Sequence, residues 1–220
     1  MDYNSTKKYW DEIFAEVPVY KAENRVNNGE LERCFKWLGE GAESVIDFGC
    51  GNGRALYRAA YYGSKKVLGI DISAEGIDLA KKIELDGLEK DFVLGGVESL
   101  KDIEDASFEG GILFNILDNI SPSDCETVLN EIHRILGDGG KLLIKLNPEY
   151  DNKELDSDPD FTKFEESLYL EESGVYFYNI TDHMMKSFLD GKFNIVDEGE
   201  IEFKDFMTYN RIYLLEKSEG

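Results

Sequence analysis

The stretch Val45-Ile46-Asp47-Phe48-Gly49-Cys50-Gly51-Asn52-Gly53-Arg54 passes from an apolar run into helix-forming residues through three glycines. Glycines in such a turn let the backbone come close to a ligand, and the helix start beyond them offers free N–H groups. Asp71 closes the next apolar run, 22 residues after Gly49. A carboxylate at that place can accept both hydroxyls of a ribose. The dinucleotide fingerprint GxGxxG asks for Gly or Ala where this chain has Arg54, and the spacing here is GxGxG. Asp47, just ahead of the loop, would repel a pyrophosphate and attract a cation. The combination favours a sulfonium bearing an α-amino group. A nicotinamide-dependent oxidoreductase is the alternative from another reaction class.

The elements that must hold these residues are readable from periodicity. Apolar runs bounded by Gly or Asp occur at Ser44–Phe48, Lys66–Ile70, Asp91–Leu94, Gly111–Phe114 and Lys141–Leu146, the pattern of parallel strands buried on both faces. Helical segments lie between them at Arg54–Tyr62, Ala74–Leu85 and Ser123–Leu136. The last has Ser121 as its cap, Pro122 in its first turn and Gly137 as its expected stop. Two further helices are expected at residues 5–17 and Glu30–Leu38. Strand–helix alternation with short loops means a doubly wound, Rossmann-like α/β sheet. Beyond Leu146, the spacing predicts a hairpin of Leu168–Glu172 and Val175–Ile180 about Ser173-Gly174, and a helix from Thr181 to Leu189. Phe193–Val196 and Met207–Glu216 read as closing strands.

Composition narrows the partners. The 220 residues carry 46 acids against 24 Lys plus Arg, a formal charge of −22. With 42% hydrophobic residues the chain is globular rather than disordered. Such a charge opposes nucleic acid and anionic membranes alike, because polyanion binding runs on displaced counterions and basic patches. No nucleic-acid or membrane partner is expected. Cys34, Cys50 and Cys125 form no CxxC pair and no metal cage, which suits free thiols in a reducing compartment. The polar Met1–Trp10 segment has no signal-peptide run, so the expected location is cytoplasmic. No metal site is expected.

Further segments complete a pattern. Gly95-Gly96-Val97-Glu98-Ser99-Leu100 follows the third strand, Phe108–Asn115 forms the fourth, and Glu131–Lys145 leads through the fifth. With the glycine loop and Asp71, they cover about residues 40–147, and the chain resembles the class I S-adenosylmethionine-dependent methyltransferases. The resemblance implies a seven-stranded sheet of order 3-2-1-4-5-7-6, with strand 7 antiparallel, and S-adenosylmethionine as cofactor. It implies that Asp47 and the backbone of Gly49, Cys50 and Gly51 hold the methionine end. Asp71 would hold the ribose, Ile72 would pack on adenine, and the Val97 N–H would meet the adenine edge. The backbone near Asn115 would face the amino group. The family often has Asp where Gly96 stands, which leaves the bond to the adenine amine to Glu98, to water or to nothing.

The whole chain is expected to be one methyltransferase domain: an N-terminal helical lid (1–40), a cofactor-binding core (41–147), an acidic and aromatic insertion on the substrate side (148–192) and closing strands (193–220). In the lid, Tyr9 and Trp10 either close over the cofactor or pack as an apolar face. Pro148–Glu172 holds ten acids and two Lys among Tyr150, Phe161, Phe164 and Tyr169. It is expected either to cover the acceptor pocket or to be a solvated loop. Asn147-Pro148-Glu149-Tyr150 is read as a turn, and His133 and His183 as surface or capping residues. The expected reaction is methyl transfer to a small-molecule acceptor, with a protein acceptor as the runner-up. Alignment and exclusion of water supply most of such catalysis, and a base is needed only for a proton-bearing nucleophile. No catalytic residue stands out.

Overall fold

The structure, a computed structural model, describes residues 1–21, 28–203 and 207–218. Residues 22–27, within the expected N-terminal lid, lie outside it. Two helices open the chain, α1 (Asn4–Ala15) and α2 (Gly29–Gly39). There follow β1 (Ser44–Phe48), α3 (Arg54–Tyr61), β2 (Lys66–Asp71), α4 (Ala74–Lys82) and β3 (Glu89–Leu94). After a 3-10 turn at Val97–Asp102 come β4 (Phe108–Phe114), α5 (Pro122–Ile135) and β5 (Leu136–Leu146). The C-terminal third comprises α6 (Asn152–Leu155), β6 (Phe161–Glu165), β7 (Leu168–Glu171), β8 (Tyr176–Tyr178), α7 (Asp182–Leu189), β9 (Phe193–Phe203) and β10 (Thr208–Lys217).

Seven strands form one sheet in the order β3-β2-β1-β4-β5-β10-β9. The first five are parallel, and β10 runs antiparallel to both β5 and β9. This is the expected Rossmann-like sheet. Because the chain leaves β1 toward β2 on one side and returns as β4 on the other, a crevice opens past the carboxyl ends of β1 and β4, where such sheets take ligands. Each face of the sheet carries an apolar layer. One, with α5 and α7, gathers Val128, Leu129, Ile132 and Met185; the other, with α2, α3 and α4, gathers Phe35, Leu38, Leu56 and Ile77.

Local chemistry explains the helix ends. The Ser121 side chain accepts the Asp124 N–H at 3.2 Å, Pro122 fills the first turn of α5, and Val128, Leu129, Ile132 and Ile135 form its buried stripe. Truncating one buried Leu such as Leu129 to Ala would cost about 2–5 kcal/mol. Gly137 is not the stop that was expected. Leu136 is already extended, so α5 passes directly into β5, which begins five residues earlier than the apolar run implied. Ser73 caps α4 by accepting the Gly76 N–H at 3.0 Å.

The acidic segment departs most from expectation. β6, β7 and β8 form a separate three-stranded antiparallel sheet, with the anticipated hairpin as two of its strands. Leu155, Tyr169 and Phe177, joined by Phe161, make a small core of their own, whereas Leu168, Tyr176, Tyr178 and Ile180 enter the main core. β9 likewise extends to Phe203, well past Val196. Among the described residues, no helix is long and apolar enough to cross a membrane, and no group of three or more metal-binding side chains occurs.

Candidate active site

The glycine loop is fixed from two directions. Gly49 and Cys50 donate their N–H groups to the Ile70 carbonyl at 2.8 and 3.1 Å, tying the turn to the end of β2. Gly49 and Gly51 have φ of +80° and +50°, where a Cβ is strained. The Asp71 carboxylate completes the clamp: one oxygen accepts the Gly51 N–H at 2.7 Å and the other the Ser73 N–H at 2.8 Å. Each oxygen keeps a further lone pair for a ligand hydroxyl. Burial lifts the Asp71 pKa above the ordinary carboxylate value, and those two N–H donors oppose the rise.

Asp47 lies deeper. It is 1% exposed, and its Oδ1 has no hydrogen-bond partner. Burial raises its pKa well above the usual range, and the Asp71 charge adds to that. The neighbouring Cys50 thiol is pushed well up by the same burial, which makes it a poor nucleophile. An orphaned buried oxygen is costly unless something outside the chain pairs with it.

Past β3, Gly95 donates to the Asp71 carbonyl at 2.9 Å, drawing the next loop against the same corner. The Glu98 carboxylate folds back to accept the Gly96 N–H at 3.2 Å. One of its oxygens lies 2.9 Å from where a Cβ on Gly96 would stand. A carboxylate therefore occupies the space that the expected Asp at position 96 would fill. Past β4, Asn115 adopts φ +49°, donates its N–H to the Lys145 carbonyl at 2.8 Å, and donates its side-chain amide to Asn147 Oδ1 at 2.9 Å.

These loops enclose one cavity of about 620 Å3. All nine expected residues line it: Asp47, Gly49, Cys50, Gly51, Asp71, Ile72, Val97, Glu98 and Asn115. Tyr3, just before α1, and Thr6, Trp10 and Phe14 of α1 also line it. Trp10 stacks on Phe14 at 5.7 Å, and the Phe14 ring end would meet a Cβ on Gly51 at 2.7 Å. Tyr9 is not in the lining and sets its ring edge-on to Trp10.

Two expectations do not carry over. None of residues 149–180 lines the cavity, so the acidic, aromatic segment is not its cover; Phe161, Tyr169, Tyr176, Phe177 and Tyr178 pack in the two cores described above, and Tyr150 and Phe164 are exposed. The segment touches lining residues only from behind: the Gly174 carbonyl accepts the Thr6 hydroxyl at 3.3 Å, and Tyr176 packs edge-on against Tyr3 at 5.9 Å. Asn147 is more than a turn residue. Its N–H donates to the buried Asp118 at 2.7 Å, its Oδ1 also accepts Asn210 at 3.2 Å, and its carbonyl accepts Arg211 at 3.0 Å. This hub holds the loop after β4 against β5 and β10. His133 stands edge-on to Phe193, away from the cavity, and His183 is not in the lining.

Sequence reasoning also passed over Lys145. It stands near the end of β5 and lines the same cavity, as do Leu31, Phe35, Phe114 and Phe203. Burial pushes its amine down to about 8, reinforced by the Arg54 charge and opposed by Asp118. The available signal was a single cation within Leu142-Leu143-Ile144-Lys145-Leu146, an otherwise apolar inner strand.

A cationic ligand suits this arrangement. The orphaned Asp47 oxygen, the bidentate Asp71 and the loop without side chains at Gly49 and Gly51 fit a nucleoside linked to an amino-bearing sulfonium. They do not fit a pyrophosphate, which would face Asp47. Comparisons with known proteins agree with the fold. The family described as "Methyltransferase domain" matches residues 45–140. A tRNA N(3)-methylcytidine methyltransferase of Schizosaccharomyces pombe is 21% identical over 213 residues, covering 88% of this chain and 66% of that protein. A ribosomal protein L11 methyltransferase of a Shewanella species is 45% identical over 51 residues, which is 22% of this chain and 17% of that protein. The chain therefore spans less than two thirds of the length of either relative. Among solved structures, 1,6-didemethyltoxoflavin-N1-methyltransferase of Burkholderia thailandensis superposes with a TM-score of 0.66 at 20% identity, covering 88% of this chain and 80% of that one. It was solved with 1,6-didemethyltoxoflavin and S-adenosylhomocysteine.

Proposed function

We propose that this chain is a class I S-adenosylmethionine-dependent methyltransferase that transfers a methyl group from S-adenosylmethionine to a small molecule. The observation that carries the reading is the convergence of four loop segments on one cavity whose wall includes an unpartnered, buried carboxylate oxygen. Asp47, with the backbone of Gly49, Cys50 and Gly51, holds the methionine end. Asp71 accepts the ribose hydroxyls, Ile72 packs on adenine and the Val97 N–H meets its edge. Glu98 supplies the adenine amine with the carboxylate that Gly96 lacks. Asn115 presents backbone to the α-amino group. The bound cofactor supplies an electrophilic methyl, and the chain contributes alignment, a water-poor cavity and a fixed charge pattern. A nicotinamide cofactor is disfavoured by Asp47 and by Arg54 at the third fingerprint position.

A small acceptor is favoured by two features. The −22 charge repels RNA, and the cavity that includes the glycine loop is also lined by Phe35, Phe114 and Phe203. The name of the Schizosaccharomyces pombe relative supports a second reading, a tRNA acceptor, and the Shewanella relative a protein one. A cytoplasmic location is supported by three cysteines that are all free and buried. An acceptor screen separates the readings: methyl-labelled S-adenosylmethionine is incubated with the protein and, in parallel, a metabolite extract, total tRNA and a protein extract. Label is expected in the metabolite fraction, identified by mass spectrometry. Label confined to tRNA or protein would replace the small-molecule reading.

A further inference from the structure

Lys145 is the feature that cofactor binding leaves unexplained. Asp47 pairs in register with Ile112, and Ile112 with Leu143, while Phe114 pairs with Lys145 two residues further on. Side chains alternate faces along a strand, so Asp47, Phe114 and Lys145 share one face of the sheet near its carboxyl edge. From strand spacing, the Cα atoms of Asp47 and Lys145 lie roughly 12 Å apart, two strands across and two residues along. The Lys145 Nζ stands 5.1 Å from the Phe114 ring centre and 5.8 Å from that of Phe203. Among the described residues it makes no hydrogen bond or ion pair. In a chain with 46 acids, a lysine without a carboxylate partner inside a ligand cavity calls for a chemical reason.

Resting on the methyl-transfer reading, we infer that Lys145 is the proton acceptor of the reaction, and that the methyl acceptor is a flat ring bearing an O–H or N–H nucleophile, seated against Phe114 and Phe203. The bookkeeping of atoms closes. The nucleophile forms a bond to the methyl carbon, the carbon–sulfur electron pair stays on sulfur, the O–H or N–H bond breaks, and the proton ends on Nζ before solvent takes it. The charged groups acting on Lys145 are Asp118, from the loop after β4, and Arg54, from the start of α3. Leu31 and Phe35 of α2, and Ile212, its partner on β10, are apolar. A role in holding an anionic acceptor fits less well. Asp47, Asp71, Glu98 and Asp124 line the same cavity and repel anions, and apolar surroundings favour the neutral amine that a base requires.

The test uses the full chain, Lys145→Met and Lys145→Arg. Calorimetry with S-adenosylhomocysteine comes first, and equal affinity in all three is expected. Nuclear magnetic resonance of 13C-labelled lysine side chains should then show one amine titrating near pH 8, missing from both variants. A panel of phenols and aromatic amines, with methyl-labelled cofactor, should yield product whose kcat rises tenfold per pH unit below pH 8. Both variants should lower kcat at least 100-fold at pH 7.5. The inference is overturned by a lysine midpoint above 10, by Lys145→Arg keeping kcat within threefold, or by no transfer to any panel member while cofactor binds. Absence of cofactor binding in the wild type would overturn the methyl-transfer reading and this inference with it.

Discussion

Asp47 is buried with one oxygen unpartnered and a pKa raised by that burial, so its cost to the ligand-free protein depends on pH. Because the folded value lies above the ordinary 3.8, its favourable contribution is complete below 3.8 and is lost as pH rises through the folded value. The ligand-free protein therefore carries more of this penalty near neutral pH than in acid. Asp47→Asn removes the charge while keeping the shape, and should stabilise the ligand-free chain by about 1–3 kcal/mol, the range for an unsatisfied buried group. For a domain of this size, that is a midpoint rise of roughly 2–12 °C. Thermal melts from pH 5 to 8 would check it; an unchanged or lower midpoint at pH 7 would mean that Asp47 is satisfied without ligand. The residues of the glycine loop, and the acids at strand ends, were legible because their signals are local: a glycine, a strand end and a fixed spacing. Lys145 and Asn147 were not. Their roles arise from lateral register with β4 and β10, which spacing along one chain does not report.

The parallel strands and the capped α5 were readable because Gly, Asp, Ser and Pro punctuate them. The segment after β5 was misread for a physical reason. Aromatic residues among acids look the same in sequence whether they face a ligand or one another, and here Tyr169 and Phe177 turn inward beside Leu155. Asp156 serves the same small unit, accepting hydrogen bonds from Lys163 at 2.9 Å and Tyr169 at 2.8 Å. The second sheet is thus a layer beside the site, with a small core of its own on one face and the main core on the other. Leu155→Ala should loosen it by about 2–4 kcal/mol, within the range for deleting a buried leucine side chain. Hydrogen exchange across residues 151–178 would record faster opening there, whereas affinity for S-adenosylhomocysteine should stay within twofold. A large loss of affinity would mean that this layer positions the cavity after all.

The whole molecule carries −22 charges on one 220-residue chain, and like charges at that density oppose compactness. Salt screens them over about 8 Å at physiological ionic strength. Raising sodium chloride from 10 to 150 mM, to use round values about that range, should therefore raise the thermal midpoint by a few degrees. A midpoint that falls with salt would show that local ion pairs outweigh the global repulsion. The charge was the plainest message of the sequence, yet it is a statement about partners rather than fold. The same field concentrates cations at the cavity, which favours a sulfonium cofactor over its neutral product.

The central claim is that one S-adenosyl ligand sits against the glycine loop and Asp71. Isothermal calorimetry with S-adenosylhomocysteine, on wild type and Asp71→Ala, tests it most directly. The account predicts one site per chain in the wild type and affinity weaker by about 1.5–3 kcal/mol in the variant, the worth of hydrogen bonds to a charged group. Circular dichroism would establish that the variant remains folded. No binding to the wild type, or equal affinity in a folded variant, would contradict the account.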